Sequence, residues 1–221
     1  LIWLNRRRKE SRLQQQISES EMKALRAQMN PHFMFNSLNA IQQMVLNSEN
    51  DNAFRYLDTY SKLTRSILEN SGKPWITLKE EIRFLKLYLE MESLRFDHAF
   101  SWELEVDEEL SLHTDRIPSM VVQPLAENAI KHGLIPLEGE GRLWIRFTQQ
   151  GDFLKVEVED NGVGRRAGGA NPESHQSMSG SITETRLRLF NQRSETQLQF
   201  EDLTDANGKP CGTKVWFLVQ E

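Results

Sequence analysis

Cysteine is nearly absent from this chain: Cys211 stands alone among 221 residues. No internal disulfide can form, and a reducing compartment fits that usage. Cys211 itself reads as a small buried filler ahead of Gly212-Thr213. Positive charge is also in short supply, with 27 Lys and Arg against 32 Asp and Glu and a net charge of −5. That balance argues against direct nucleic-acid binding. The phosphate loop G-x-x-x-x-G-K-[ST] occurs nowhere, and there is no internal repeat. The apolar Leu1-Ile2-Trp3-Leu4 falls far short of the roughly 20 residues a membrane helix needs, and no cleavable signal follows it. Hydrophobic residues make up 38% and charged residues 27%, which is polar for a globular protein but not disordered. The length suits one compact domain with a helical appendage, or two small domains.

Leu1 to Leu4 runs into Asn5-Arg6-Arg7-Arg8-Lys9. An apolar end followed by a basic cluster matches the cytoplasmic end of a membrane helix, although a frayed terminus looks similar. Glu10 to Gln28 lacks Gly and Pro and carries an imperfect apolar stripe at Leu13, Ile17, Met22 and Leu25, as in a helix that pairs with its copy. Phe35, Leu38, Ile41, Val45 and Leu46 follow helical spacing. The polar Asn47 to Asp51 interrupts them, and Phe54, Leu57, Tyr60, Leu63, Ile67 and Leu68 resume the pattern. Two amphipathic helices with a short connection predict an antiparallel hairpin. Its apolar face stays wet unless two copies form a four-helix bundle.

Thr77-Leu78-Lys79-Glu80 reads as a capping box that opens a helix to about Phe96. Strand-like alternation follows at Ser101 to Val106, Arg142 to Thr148, Phe153 to Val158, Leu198 to Leu203 and Thr213 to Val219. Helical segments fall between them, one around Glu127 to Gly133 and one around Thr183 to Asn191. The pattern predicts an α+β layer with helices on one face of a mixed sheet. The longest loop, Gly168 to Ser177, is placed as a lid would be.

Two stretches carry the chemistry. In Glu127-Asn128-Ala129-Ile130-Lys131-His132-Gly133, α-helical spacing sets Asn128, Lys131 and His132 on one face. About thirty residues on, Asp160-Asn161-Gly162-Val163-Gly164 ends a strand. There a fixed carboxylate stands beside backbone that a ligand can approach closely. An amide oxygen suits Mg²⁺ and an ammonium suits phosphate. Together they describe an ATP site without a phosphate loop, although Asp-Asn-Gly is also an ordinary turn former.

Asn128 with Lys131-His132-Gly133 resembles the N box of the GHKL (Bergerat) ATP-binding fold shared by histidine kinases, gyrase and Hsp90. Asp160 to Gly164 resembles its first glycine box, and Gly212-Thr213 its last. Gln28-Met29-Asn30-Pro31-His32-Phe33-Met34-Phe35-Asn36 is similar to the phosphoacceptor segment of LytS/YehU-type sensor histidine kinases. Leu78-Lys79-Glu80-Glu81, Tyr88-Leu89-Glu90, Arg95-Phe96 and Ile117 to Leu125 fit the same family.

The resemblance implies four parts: a membrane-proximal signalling helix at 1–27, a dimerisation and phosphotransfer hairpin at 28–75, a connecting helix at 76–99 and a GHKL α/β sandwich at 100–221. It implies a protein histidine kinase, the cytoplasmic portion of a membrane sensor at the bacterial plasma membrane. With ATP and Mg²⁺ it would phosphorylate its own His32 and pass the group to an aspartate of a response regulator. Asn36, one turn from His32, would orient the ring. ATP would meet Asn128, Lys131, His132, Asp160, Gly162, Gly164, Gly180, Gly212 and Thr213, with Asn128 on Mg²⁺ and Glu127 as a second candidate ligand. Asp160 would read adenine.

Three departures stand out. Phe33 occupies the position after His32 where many relatives carry an acidic base, leaving Glu80 and Glu81 as the carboxylates in the connecting segment. Pro124 stands where hydrolytic relatives carry a glutamate. The second glycine box is reduced to Gly180 within Ser177 to Thr183. The rival readings are a dimeric nucleotide-binding scaffold and a GHKL ATPase or protein-serine kinase.

Overall fold

The computed structural model describes residues 31–70, 73–164 and 198–220. The signalling helix at 10–28, the lid, Gly180 with its box, and the helix around Thr183 lie outside these residues. The chain divides into two compact units that meet at Lys73/Pro74.

The first unit is the expected hairpin. Helix α1 spans Pro31–Leu46 and α2 spans Asn50–Asn70. Pro31 suits the first helical position, where its missing N–H leaves no bond unmade. The turn between the helices passes through Ser48 at φ 63°, a left-handed conformation that short polar residues tolerate. Phe33 and Tyr60 stack with ring centroids 6.4 Å apart. Met44, Ala53, Tyr56, Leu63 and Ile67 are buried. A second apolar set is not: Phe35, Leu38, Val45 and Leu46 on α1, with Phe54, Leu57 and Leu68 on α2, are each about half or more exposed.

The second unit opens with β1, Trp75–Thr77, which leads directly into α3, Leu78–Arg95. The predicted capping box is present. Thr77 Oγ1 accepts from the Glu80 N–H at 3.3 Å, and Glu80 Oε2 accepts from the Thr77 N–H at 2.8 Å. Two short strands escaped the sequence reading: β1 pairs antiparallel with β3, Arg116–Pro118. Three-residue strands hold too few positions to display an alternation.

The main sheet has the order β2-β4-β5-β7-β6. Its strands are β2 Phe100–Val106, β4 Gly141–Gln150, β5 Phe153–Asp160, β6 Gln199–Thr204 and β7 Pro210–Val219. β2 runs parallel to β4 and every other pair is antiparallel, so the sheet is mixed as expected. A parallel pair needs a crossover, and here residues 107–140 provide it.

Burial alternates along β4 and β5. Leu143, Ile145, Phe147, Val156, Val158 and Phe217 are buried, as are Phe84, Leu85, Tyr88 and Leu89 of α3 and Ile130. The opposite face carries charge. Arg146 bonds Glu157 at 3.0 Å, Glu159 at 2.9 Å and Glu105 at 3.1 Å, and Lys214 meets Glu159 at 3.1 Å. One buried face and one charged face explain the period of two in these strands.

Cys211 corrects the sequence reading: it is exposed. The β6–β7 register passes from Leu203↔Gly212 to Thr204↔Pro210. Cys211 is therefore the extra residue of a bulge, without a cross-strand partner to cover it.

Candidate nucleotide site

The helix that carries the first motif changes its winding partway along. Helix α4, Gln123–Asn128, continues without a break into a π-helical turn, Ala129–Leu134. The N–H of Ile135 reaches back five residues to Ile130 O at 2.9 Å. Such turns are rare and favour functional sites. The expected face at α-helical spacing is therefore opened. Asn128 and Lys131 are half-buried, whereas His132 is exposed. Lys131 Nζ pairs with Glu127 Oε1 one turn back.

The wider turn brings Gly133 against the end of β5. A Cβ on Gly133 would lie 2.6 Å from Asp160 Oδ1, and one on Gly162 would lie 2.3 Å from the Gly133 carbonyl carbon. The Val163 N–H donates to Gly133 O at 3.0 Å. Backbone packs on backbone here, and only glycine allows it. From the other side, Gly212 has φ 150°, and a Cβ there would lie 2.0 Å from Asp160 O. The next residue, Thr213, pairs with Asp160 across β5 and β7.

Asp160 lies at the centre of these approaches, 4% exposed. Burial pushes its carboxyl up to about 6, while the backbone N–H groups of Gly162 and Thr213 pull the other way. The Gly162 bond is 2.9 Å. Asn161 does different work: its Oδ1 accepts from Arg142 N–H and its Nδ2 donates to Glu140 O at 3.0 Å. It ties the turn to β4.

Asp160, Gly162, Gly212 and Thr213 thus converge with the Asn128–Gly133 segment, and Gly164, at φ 68°, packs against Pro210. Gly133, in the sequence only a letter of the motif, is the glycine that faces the Asp160 carboxylate itself. The sequence reading also missed Glu92 of α3. It is buried, and Arg95 Nη1 donates to both its oxygens at 3.0 and 3.1 Å. Burial raises its carboxyl, Arg95 and Lys131 oppose the rise and Glu127 adds to it. The charges of α3 and of the Glu127–Lys131 pair therefore act on one another.

The two carboxylates considered as bases are engaged elsewhere. Glu80 belongs to the Thr77 capping box, and Glu81 is fully buried with its oxygens on the backbone of Met120 and Val122. His32 falls in the first turn of α1, and its side chain lies outside the described residues. Asn36, one turn on, is half-buried.

The donor set fits a nucleotide. A buried acceptor walled by glycines suits a flat base, and Asn128 with Lys131 offers an amide oxygen and an ammonium for the phosphate end. Among the described residues no group of three or more His, Cys, Asp or Glu side chains could hold a metal by itself. Mg²⁺ needs no such cage, since it is commonly held by one or two protein oxygens together with substrate phosphates.

Comparison with known proteins points to one family. Residues 20–100 match the family model for histidine kinase. The sensor histidine kinase BtsS of Escherichia coli K12 is 36% identical over 145 residues, 66% of this chain and 25% of BtsS. The sensor protein LytS of Staphylococcus epidermidis is 32% identical over 150 residues, 68% of this chain and 25% of LytS. The chain thus spans about a quarter of the length of these relatives. The histidine kinase domain of the Erythrobacter litoralis EL346 blue-light activated histidine kinase shares the fold. It has a TM-score of 0.51 at 16% identity over 91% of this chain and 95% of that one. The chain belongs to the sensor histidine kinases of the LytS type.

Proposed function

We propose that this chain is the kinase core of a dimeric sensor histidine kinase. ATP bound by the second unit phosphorylates His32 of the first, and the phosphoryl group then passes to an aspartate of a response regulator. The observation that carries this reading is the convergence of Gly133, Gly162 and Gly212 around the buried Asp160, with Gly133 on the segment that also carries Asn128 and Lys131.

Asp160 would accept a hydrogen bond from the exocyclic amine of adenine, fixing the base. Lys131 would exchange Glu127 for phosphate oxygens, and Asn128, with Glu127, would hold Mg²⁺. When bound, the metal would supply charge neutralisation at the phosphates. A ring nitrogen of His32 forms the new bond to the γ-phosphorus as its bond to the bridging oxygen breaks. ADP leaves and the ring proton goes to solvent. Asn36 would orient the ring. Little covalent work falls to the other residues, so positioning and charge dominate.

The dimer is supported by the apolar set left exposed on α1 and α2, which a second copy would cover. Among the described residues no helix is long and apolar enough to cross a membrane. The sensor names of the relatives and the basic cluster Arg6-Arg7-Arg8-Lys9 support a segment N-terminal to this chain that anchors it at the cytoplasmic face of the plasma membrane.

The test is incubation with radiolabelled ATP. Wild type should take up label that is lost in acid and kept in alkali, as for phosphohistidine, and His32→Gln should take up none while still binding ATP. Label that persists in His32→Gln, or that survives acid, overturns the reading and favours the serine-kinase rival.

A further inference from the structure

Helix α4 begins without a cap of its own. Its N-cap residue, Val122, makes no side-chain capping bond, and Pro124 follows in the first turn. Two residues ahead of the cap, Met120 holds a left-handed φ of 57°, a strained conformation for a bulky side chain. Met120, Val121 and Val122 are buried and the Ser119 N–H donates to Pro74 O at 3.1 Å, so side chains anchor the stretch while its amides at the helix start need acceptors.

The group that reaches it comes from another helix. Glu81 lies in the first turn of α3, is fully buried, and accepts from the backbone N–H of Met120 and of Val122, each at 3.4 Å. Burying a carboxylate is among the more unfavourable acts in folding. A leucine would fill the same space without that penalty, so packing does not explain the residue. The two backbone donors and the positive end of the helix beyond them do.

We propose that Glu81 is a positioning residue for the nucleotide site, acting through the start of α4 on Asn128 and Lys131. Those two residues lie on the same unbroken helical run, so a shift at Val122 is transmitted to the phosphate end of the site. Of that run Asp160 touches only Gly133, near its far end, and its carboxylate is held by the backbone N–H groups of Gly162 and Thr213. Loss of Glu81 should therefore damage one end of the site and spare the other. The proposal rests on the nucleotide reading above.

The test uses Glu81→Gln, which keeps the shape but sets an N–H₂ against one of the two amides. Calorimetry would compare binding of Mg²⁺·ATP with binding of adenosine, which lacks phosphates. Glu81→Gln should weaken ATP by about tenfold and leave adenosine within about twofold of wild type, because only the phosphate end is misplaced. Equal weakening of both ligands, or unchanged ATP affinity in a folded variant, overturns the proposal. Should the variant fail to fold, amide exchange in wild type decides. ATP should slow exchange at Met120 and Val122 and adenosine should not, and exchange that ignores ATP overturns it. Absence of ATP binding by wild type would instead overturn the site reading itself.

Discussion

Gly133 and Asp160 touch: a single methyl group on the glycine would come within 2.6 Å of the carboxylate oxygen. The two motifs that stand apart in the chain therefore share one surface. Gly133→Ala should displace the Asp160 carboxylate and destabilise the fold by about 1–3 kcal/mol, as overpacking does. Adenosine affinity should fall with it, measured by thermal unfolding and calorimetry on the same sample. Wild-type affinity in Gly133→Ala would mean that this contact does not shape the site.

Asp160 should make nucleotide binding depend on pH. Its carboxyl titrates at about 6 in the folded chain, raised chiefly by burial, and an adenine amine prefers the ionised form. Adenosine affinity should hold above pH 7 and weaken by about tenfold by pH 5, following the ionised fraction. Adenosine is the better probe because the phosphates of ATP titrate in the same range. A flat profile would remove Asp160 from the base contact.

The same shift sets a stability trend of opposite sense. A folded-state value above the unfolded one means that the native chain binds the proton more tightly. This contribution is fully present below about pH 3.8 and is lost as pH rises through about 6. A displacement of about two units corresponds to roughly 3 kcal/mol at most. Ligand-free wild type should gain on Asp160→Asn as pH falls from 7 to 4, measured by paired denaturant melts. A constant difference would contradict the burial of an ionised carboxylate.

Lys131 and Glu127 neutralise each other in the absence of nucleotide. Lys131→Met should therefore cost little stability, on the order of 1 kcal/mol for a partly exposed pair. It should still weaken ATP strongly and leave adenosine unchanged. Glu127→Gln should relax the hold on Lys131 and raise affinity for metal-free ATP, while reducing the gain that Mg²⁺ confers. Titrations with and without Mg²⁺ separate the two roles.

The hairpin prediction concerns association. Replacing Phe35 and Leu38 together by Asp sets charge on the exposed apolar face. The full chain should then sediment as a monomer at concentrations where wild type is a dimer. ATP binding should survive, since the nucleotide residues belong to the second unit. A dimer that persists would assign association to another surface.

Much of this was legible in the sequence, for reasons that differ by element. Thr77 and Glu80 announce α3 because a capping box is local, three residues apart. β4 and β5 announce themselves because one face is buried and the other charged, which writes a period of two into the chain. The π-helical turn left no such mark: six residues hold little more than one turn, too few to distinguish one winding from another. Glu81 could not be read because its partners lie 39 and 41 residues away and are backbone groups. Any sequence supplies such groups. Gly133 is visible as a motif letter, but its contact with Gly162 exists only once the sheet has closed.

That closure has a consequence in time. β4 and β5 are neighbours joined by a two-residue connection, Gln150 facing Phe153, and can pair within microseconds. β2 can join β4 only after the long crossover has folded back, and β7 reaches β5 from far along the chain. Distant pairings form late, since the entropy of closing their loops must be met first. The packing around Asp160 needs both, so it is among the last features to exist during folding. ATP cannot guide the early steps. It captures molecules that have already finished, and so makes the refolded state harder to reverse without making it faster to reach.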